Sequence, residues 1–140
     1  MSLPVVLSPV FTLILLTFVL FGMMGASRAG VVRTREVKIR DVALGNEAWP
    51  PRVKQISNAF HNQLEMPVLF YALVPLVILA NRADVLFVIM SWIFVLARIA
   101  HAYVHVTSNY VPLRFNIFLV GAVVLALMWI IFAAQVMLGL

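Results

Sequence analysis

The chain has 140 residues, of which 64% are hydrophobic and only 11% are charged, and its formal net charge at pH 7 is +5. This composition excludes an ordinary soluble domain, in which about half of the residues are apolar and about a quarter are charged. It indicates an integral membrane protein. The chain has no cysteine, which excludes disulfides and a cysteine nucleophile, so any thiol chemistry must come with a substrate.

Four segments are long and apolar enough to cross a membrane as helices, since about 20 helical residues span about 30 Å of hydrocarbon. They cover residues 5–24, 61–80, 85–106 and 113–138. No Lys or Arg precedes the first segment, and its apolar run is longer than a signal-peptide core, so we expect it to stay in the membrane. The sequence predicts an all-α membrane protein with one domain over residues 1–140, built as a bundle of four transmembrane helices.

Basic residues concentrate in the loop between the first two segments, at about residues 25–55. Seven of the ten lie there: Arg28, Arg33, Arg35, Lys38, Arg40, Arg52 and Lys54. The positive-inside rule places this loop in the cytoplasm and the N-terminus outside. Acidic residues interrupt the basic ones, and no aromatic residues interleave with them, so the charge indicates topology rather than nucleic-acid binding.

The second segment is preceded by "WPPRVKQISNAF", in which Pro50 and Pro51 suit a first helical turn. We expect this helix to begin outside the bilayer and to carry a polar stripe into it. Pro67 and Pro75 each remove a backbone hydrogen bond, so both should bend the helix.

Three polar side chains interrupt the apolar third segment: Arg98, His101 and His105. They stand at i, i+3 and i+7 and therefore share one helical face. A charge inside a transmembrane helix costs about 3 kcal/mol, so it normally faces protein, water or a counter-ion. Glu65 lies at the same predicted level, and we expect it to pair with Arg98.

Arg114 begins the fourth segment on the same side of the membrane. The topology therefore predicts one polar cluster in the cytoplasmic third of the bundle, formed by Asn62, Glu65, Arg98, His101, His105 and Arg114. Interpretations without a function at this cluster stay open. Arg98 and Glu65 could form a purely structural ion pair, and Arg114 could extend to the lipid headgroups. His101 and His105, at i and i+4, could be metal ligands, but two histidines without a third ligand are weak evidence for zinc or iron.

Two stretches resemble a known family: "NQLEMPVLF" from Asn62 to Phe70, and "RIAHAYVHVTSNYVPLR" from Arg98 to Arg114. Together with four helices and a basic first loop, they resemble the MAPEG family, the membrane-associated proteins in eicosanoid and glutathione metabolism. The resemblance implies a homotrimer that binds glutathione as co-substrate between subunits near the cytoplasmic side. In a member of bacterial type it also implies the inner membrane.

Carried over to this sequence, the resemblance assigns roles to individual residues. Arg114 would be the catalytic residue at the glutathione thiol. The glutathione-binding set would comprise Asn62, Glu65, Arg98, His101 and His105, with Arg28 or Arg33 from the neighbouring subunit. No metal is implied.

Three positions depart from the pattern of the eicosanoid synthases in this family. His61 replaces an arginine, His105 a tyrosine and Phe115 a serine. The resemblance therefore implies a general glutathione transferase or peroxidase acting on lipophilic electrophiles, with lipid and a lipophilic small molecule as partners. Two alternatives remain, a non-catalytic lipid- or ligand-binding trimer and a small proton-coupled transporter. Gly121 and Ala122 on the fourth segment are expected to pack against other subunits.

Overall fold

The computed structural model describes residues 1–45 and 47–140, and these residues form helices without any strand. The helices are α1 (Leu3–Arg33), α2 (Ile39–Val42), α3 (Pro51–Asn62), α4 (Met66–Leu79), α5 (Val85–Val106) and α6 (Val111–Met137). Four spans within the described residues are long and apolar enough to cross a membrane: α1, α3 with α4, α5 and α6. The predicted all-α bundle with four membrane-spanning segments is confirmed.

The first helix is longer than the sequence predicts, because α1 continues past residue 24 to Arg33. Gly25 and Gly30 each weaken a helix by about 1 kcal/mol, which favoured a loop from residue 25. Tertiary packing outweighs this cost: Val31 and Val32 pack against a small core of Val37, Trp49 and Val53. The connecting segment is therefore residues 34–50, shorter than the predicted loop at about 25–55.

The second membrane segment is broken rather than bent. α3 ends at Asn62, residues 63–65 form a turn, and α4 begins at Met66 with Pro67 in its first turn. Proline suits a first helical turn because its missing N–H would have no intrahelical acceptor there. Pro75 lies inside α4 without interrupting it.

The hydrophobic core joins all four spans and positions α5 at the centre of the bundle. Its fully buried members include Leu13 of α1, Phe70 of α4, Phe94 of α5 and Leu125 of α6. The rings of Phe70 and Phe94 pack with centroids 5.0 Å apart. α5 contacts α1, α3 and α6, so polar groups on its buried face meet residues from neighbouring helices.

Gly121 of α6 packs inside the chain, which corrects the expectation that it serves an intersubunit contact. It is buried against α5, where an added Cβ would lie 3.6 Å from the Cβ of Ala97 and 3.7 Å from the ring of Phe94. Small residues in membrane helices permit such close approach. Here the approach joins two helices of one chain.

Trp49→Ala tests the small core that extends α1. Trp49 is 9% exposed and its ring lies under the Arg28 guanidinium, 5.3 Å from ring centroid to Cζ. The substitution should lower the free energy of unfolding in mixed micelles by about 3 kcal/mol, because it leaves a cavity. Leu44→Ala is the matched control, since Leu44 is 103% exposed and should change the free energy by less than about 0.5 kcal/mol. Equal effects of the two variants would contradict this packing.

Candidate functional site

α5 buries the polar stripe that the sequence indicates. Arg98, His101 and His105 are 2%, 3% and 6% exposed. The rings of the two histidines lie edge to face, with centroids 5.6 Å apart. The stripe therefore faces protein rather than lipid, as the energetic cost of a membrane-embedded charge requires.

Arg98 binds the end of α3 instead of an acidic side chain. Its Nη2 donates to the backbone carbonyl of Asn62 at 3.1 Å and to Asn62 Oδ1 at 2.5 Å. Hydrogen bonds from a charged donor are the stronger kind, and the last carbonyls of a helix carry partial negative charge. Asn62 thus accepts hydrogen bonds from the guanidinium with both its backbone and its side-chain oxygen atom.

The predicted ion pair between Arg98 and Glu65 is wrong. Glu65 is exposed, and within the described part of the chain the ion pair closer than 4.0 Å is Arg40 with Asp41 on the surface. The prediction assumed a continuous helix, in which Asn62 and Glu65 at i and i+3 share a face. The turn at residues 63–65 ends that periodicity and leaves Glu65 outside the bundle.

Arg114 lies at the start of α6 and is half-buried. Its Nη1 donates to Asn109 Oδ1, and the backbone N–H of Asn109 donates to the carbonyl of Val104 at 2.7 Å. The guanidinium is therefore tied to the last turn of α5, the turn that carries His105. This geometry favours a role inside the protein over extension to the headgroups.

Four of the predicted site residues line one cavity of about 200 Å³. Its polar lining is Asn62, His101, His105 and Arg114, and its apolar lining is Val111, Phe115 and Phe118. The ring of His101 packs against that of Phe118, with centroids 5.8 Å apart. The structure thus brings together side chains from the end of α3, from α5 and from the first turns of α6.

The other predicted site residues stand apart from this cavity. Arg98 is bonded to Asn62 but does not line the cavity, and Glu65 and Arg33 are exposed. Arg28 donates to Ser57 Oγ of α3 at 2.8 Å and lies over Trp49. A contribution of Arg28 or Arg33 to a neighbouring subunit, and of Glu65 to a ligand, stays a prediction.

Two side chains of α3 that the sequence did not single out hold the end of α5 in place. Gln55 Nε2 donates to the carbonyl of His105 at 2.7 Å and to that of Thr107 at 3.2 Å. Arg52 donates to the carbonyl of Val106. The last carbonyls of a helix lack intrahelical partners, so these bonds satisfy them and fix the turn that carries His105.

The described residues contain no group of three His, Cys, Asp or Glu side chains arranged to hold a metal ion. What the cavity offers instead is hydrogen bonding and charge. The Arg114 guanidinium supplies five fixed donors, the imidazoles can donate or accept, and the aromatic wall accepts an apolar group.

A comparison with known families identifies the chain. A sequence model of the MAPEG family matches residues 6–134. The chain belongs to the MAPEG family. Searches of curated proteins and of solved structures found no match to it. Membership in MAPEG agrees with four apolar helices and identifies the chain as an integral multi-pass membrane protein.

Asn62→Ala tests the hold on the buried guanidinium. The substitution removes the 2.5 Å bond from Arg98 and should lower the free energy of unfolding by about 2 kcal/mol, the range for a hydrogen bond to a charged group. Glu65→Gln is the control. Because Glu65 is exposed, its substitution should cost less than about 0.5 kcal/mol. If Glu65→Gln destabilised the fold as much as Asn62→Ala, the ion pair would exist in solution.

Proposed function

We propose that this MAPEG protein is a membrane-bound, glutathione-dependent transferase or peroxidase that acts on lipophilic electrophiles. The observation that carries the proposal is the cavity between α3, α5 and α6, whose lining combines a cationic and hydrogen-bonding surface with an aromatic one. A polar thiol peptide and an apolar electrophile need these two surfaces side by side. Membership in MAPEG, which includes glutathione transferases and peroxidases, supports the same conclusion.

Arg114 is the residue that we assign to the thiol. It is the cation among the described residues that line the cavity. A guanidinium beside a sulfur stabilises thiolate over thiol, which is the activation that a nucleophilic sulfur requires. Its bond to Asn109 holds it in place before substrate binds, so little reorganisation is needed when charge develops on the sulfur.

The rest of glutathione presents two carboxylates and one ammonium group. The side-chain NH2 group of Asn62 can donate to a carboxylate, since the Oδ1 atom already accepts from Arg98. His101, one helical turn from His105 on α5, lines the same cavity. Glu65 and the basic residues Arg28 and Arg33 complete the proposed set. In the proposed homotrimer, a neighbouring subunit supplies the residues that do not line the cavity within one chain.

The proposed setting is a bacterial inner membrane with the N-terminus outside and the connecting segment, residues 34–50, in the cytoplasm. The basic residues on and around this segment support that orientation. The transporter alternative loses its main support, because Glu65 is exposed and a proton-coupling carboxyl needs a buried environment that raises its pKa.

Arg114→Ala should separate chemistry from binding. Turnover of an apolar electrophile should fall about 10- to 1,000-fold, as expected for the loss of one charge-stabilising donor, while the affinity for glutathione changes little. The ultraviolet absorbance of the thiolate, recorded with bound glutathione, should fall in parallel. Calorimetry gives the affinity.

Arg40→Ala is the matched control, because the Arg40 side chain is exposed and does not line the cavity. It should leave turnover, absorbance and affinity at the wild-type level. If glutathione bound to the wild type without thiolate absorbance and without turnover, the non-catalytic ligand-binding trimer would replace the enzyme.

The oligomeric state has its own test. We expect a trimer in mild detergent by a mass measurement that separates protein from bound detergent. A monodisperse monomer or dimer with full glutathione binding would contradict the intersubunit part of the site and leave the cavity of one chain as the whole site.

A further inference from the structure

An arginine can stabilise a thiolate but cannot take the proton that the thiol loses, because its guanidinium stays protonated in proteins. If Arg114 lies at the glutathione thiol, as in the proposed function on which this inference rests, the proton needs another acceptor. The cavity contains two side chains that could accept it, His101 and His105. A neutral imidazole has one ring nitrogen with a free lone pair, so either histidine can accept a proton.

Both histidines line the cavity, and the two rings share one feature. The Nδ1 atoms of His101 and His105 are buried and have no hydrogen-bond partner within the described part of the chain. Both residues nevertheless line the cavity. Nε2 is therefore the nitrogen available to a ligand in each case.

The position of Arg114 distinguishes the two histidines. Asn109 accepts from Arg114 and donates to the carbonyl of Val104, so the guanidinium is tied to the turn of α5 that contains His105. His101 lies one turn deeper, with its ring against Phe118. The backbone of His105 is also held from α3, by Gln55 at 2.7 Å. A sulfur beside Arg114 would therefore lie near the turn of α5 that carries His105, and both residues line the same cavity.

We propose that His105 is a catalytic residue whose Nε2 accepts the glutathione thiol proton and then returns it to the oxygen of an epoxide substrate. In the first step the S–H bond breaks, an N–H bond forms on His105, and Arg114 faces the thiolate. In the second step the sulfur attacks an epoxide carbon, the C–O bond breaks, and the oxygen takes the proton from His105. The imidazole is neutral again, and the product is a hydroxy thioether.

This cycle favours electrophiles whose leaving atom is an oxygen. With an aryl halide the departing halide needs no proton, and the proton on His105 must leave to solvent. The cavity therefore suits epoxide opening better than aromatic substitution, while the same thiolate serves both.

The test counts protons when glutathione binds to the full-length protein in mild detergent. Thiolate absorbance and the signal of a pH indicator in weak buffer are recorded together in stopped flow. In the wild type we expect thiolate to form without proton release, because His105 keeps the proton. In His105→Gln, each thiolate that forms should release one proton.

Two further variants complete the comparison. His101→Gln removes the other imidazole of the cavity. In this variant the proton should still stay on His105. His61→Gln changes an exposed histidine on α3 and should match the wild type throughout. Turnover of an epoxide by His105→Gln should fall about 100-fold or more, and turnover of an aryl halide should fall less.

Each outcome decides a separate point. Wild-type thiolate accompanied by one released proton would overturn the role of His105 and leave the proposed function standing. Proton retention in His105→Gln would also overturn it, and loss of retention in His101→Gln would assign the proton to His101. A wild type that forms no thiolate would overturn the proposed function itself, and this inference with it.

Discussion

The buried guanidinium of Arg98 is the constraint on which the site depends. A charge in the middle of a membrane bundle must be bound, and here the two oxygen atoms of Asn62 bind it. That contact joins α5 to the end of α3 at the point where the second membrane segment turns. Asn62 also lines the cavity, whereas Arg98 does not, so the residue that holds Arg98 is itself part of the site.

The partner of Arg98 is neutral, which sets the charge of the region. An acidic partner would cancel the guanidinium, whereas an amide and a carbonyl solvate it and leave its charge in place. Arg114, which lines the cavity, adds a second positive charge. The two guanidinium groups therefore give this part of the bundle a positive charge.

Much of this arrangement could be predicted from the sequence, because it follows from periodicity and length. The four spans follow from long apolar runs. The buried stripe on α5 follows from the spacing of Arg98, His101 and His105, and the convergence of Asn62, His105 and Arg114 follows from which ends of the helices meet. None of these inferences needs a side-chain contact to be known in advance.

The errors arise where backbone geometry or tertiary contact decides the outcome. A continuous helix would place Glu65 beside Asn62 in the bundle interior, as the sequence predicts. The turn at residues 63–65 interrupts the helix and leaves Glu65 exposed. The extension of α1 depends on packing around Trp49, a residue far along the chain. The bonds from Gln55 and Arg52 go to backbone carbonyls, which every residue has, so no pattern of side chains could indicate them.

The broken second segment also determines how the protein meets the bilayer. α4 has 14 residues and is about 21 Å long at 1.5 Å per residue, whereas the hydrocarbon layer is about 30 Å thick. Either the membrane thins around α4 or the turn at residues 63–65 lies below the headgroups. In both cases molecules dissolved in the lipid come level with the polar wall at Asn62. The shortness of one helix thus determines the depth at which the polar lining of the cavity meets the bilayer.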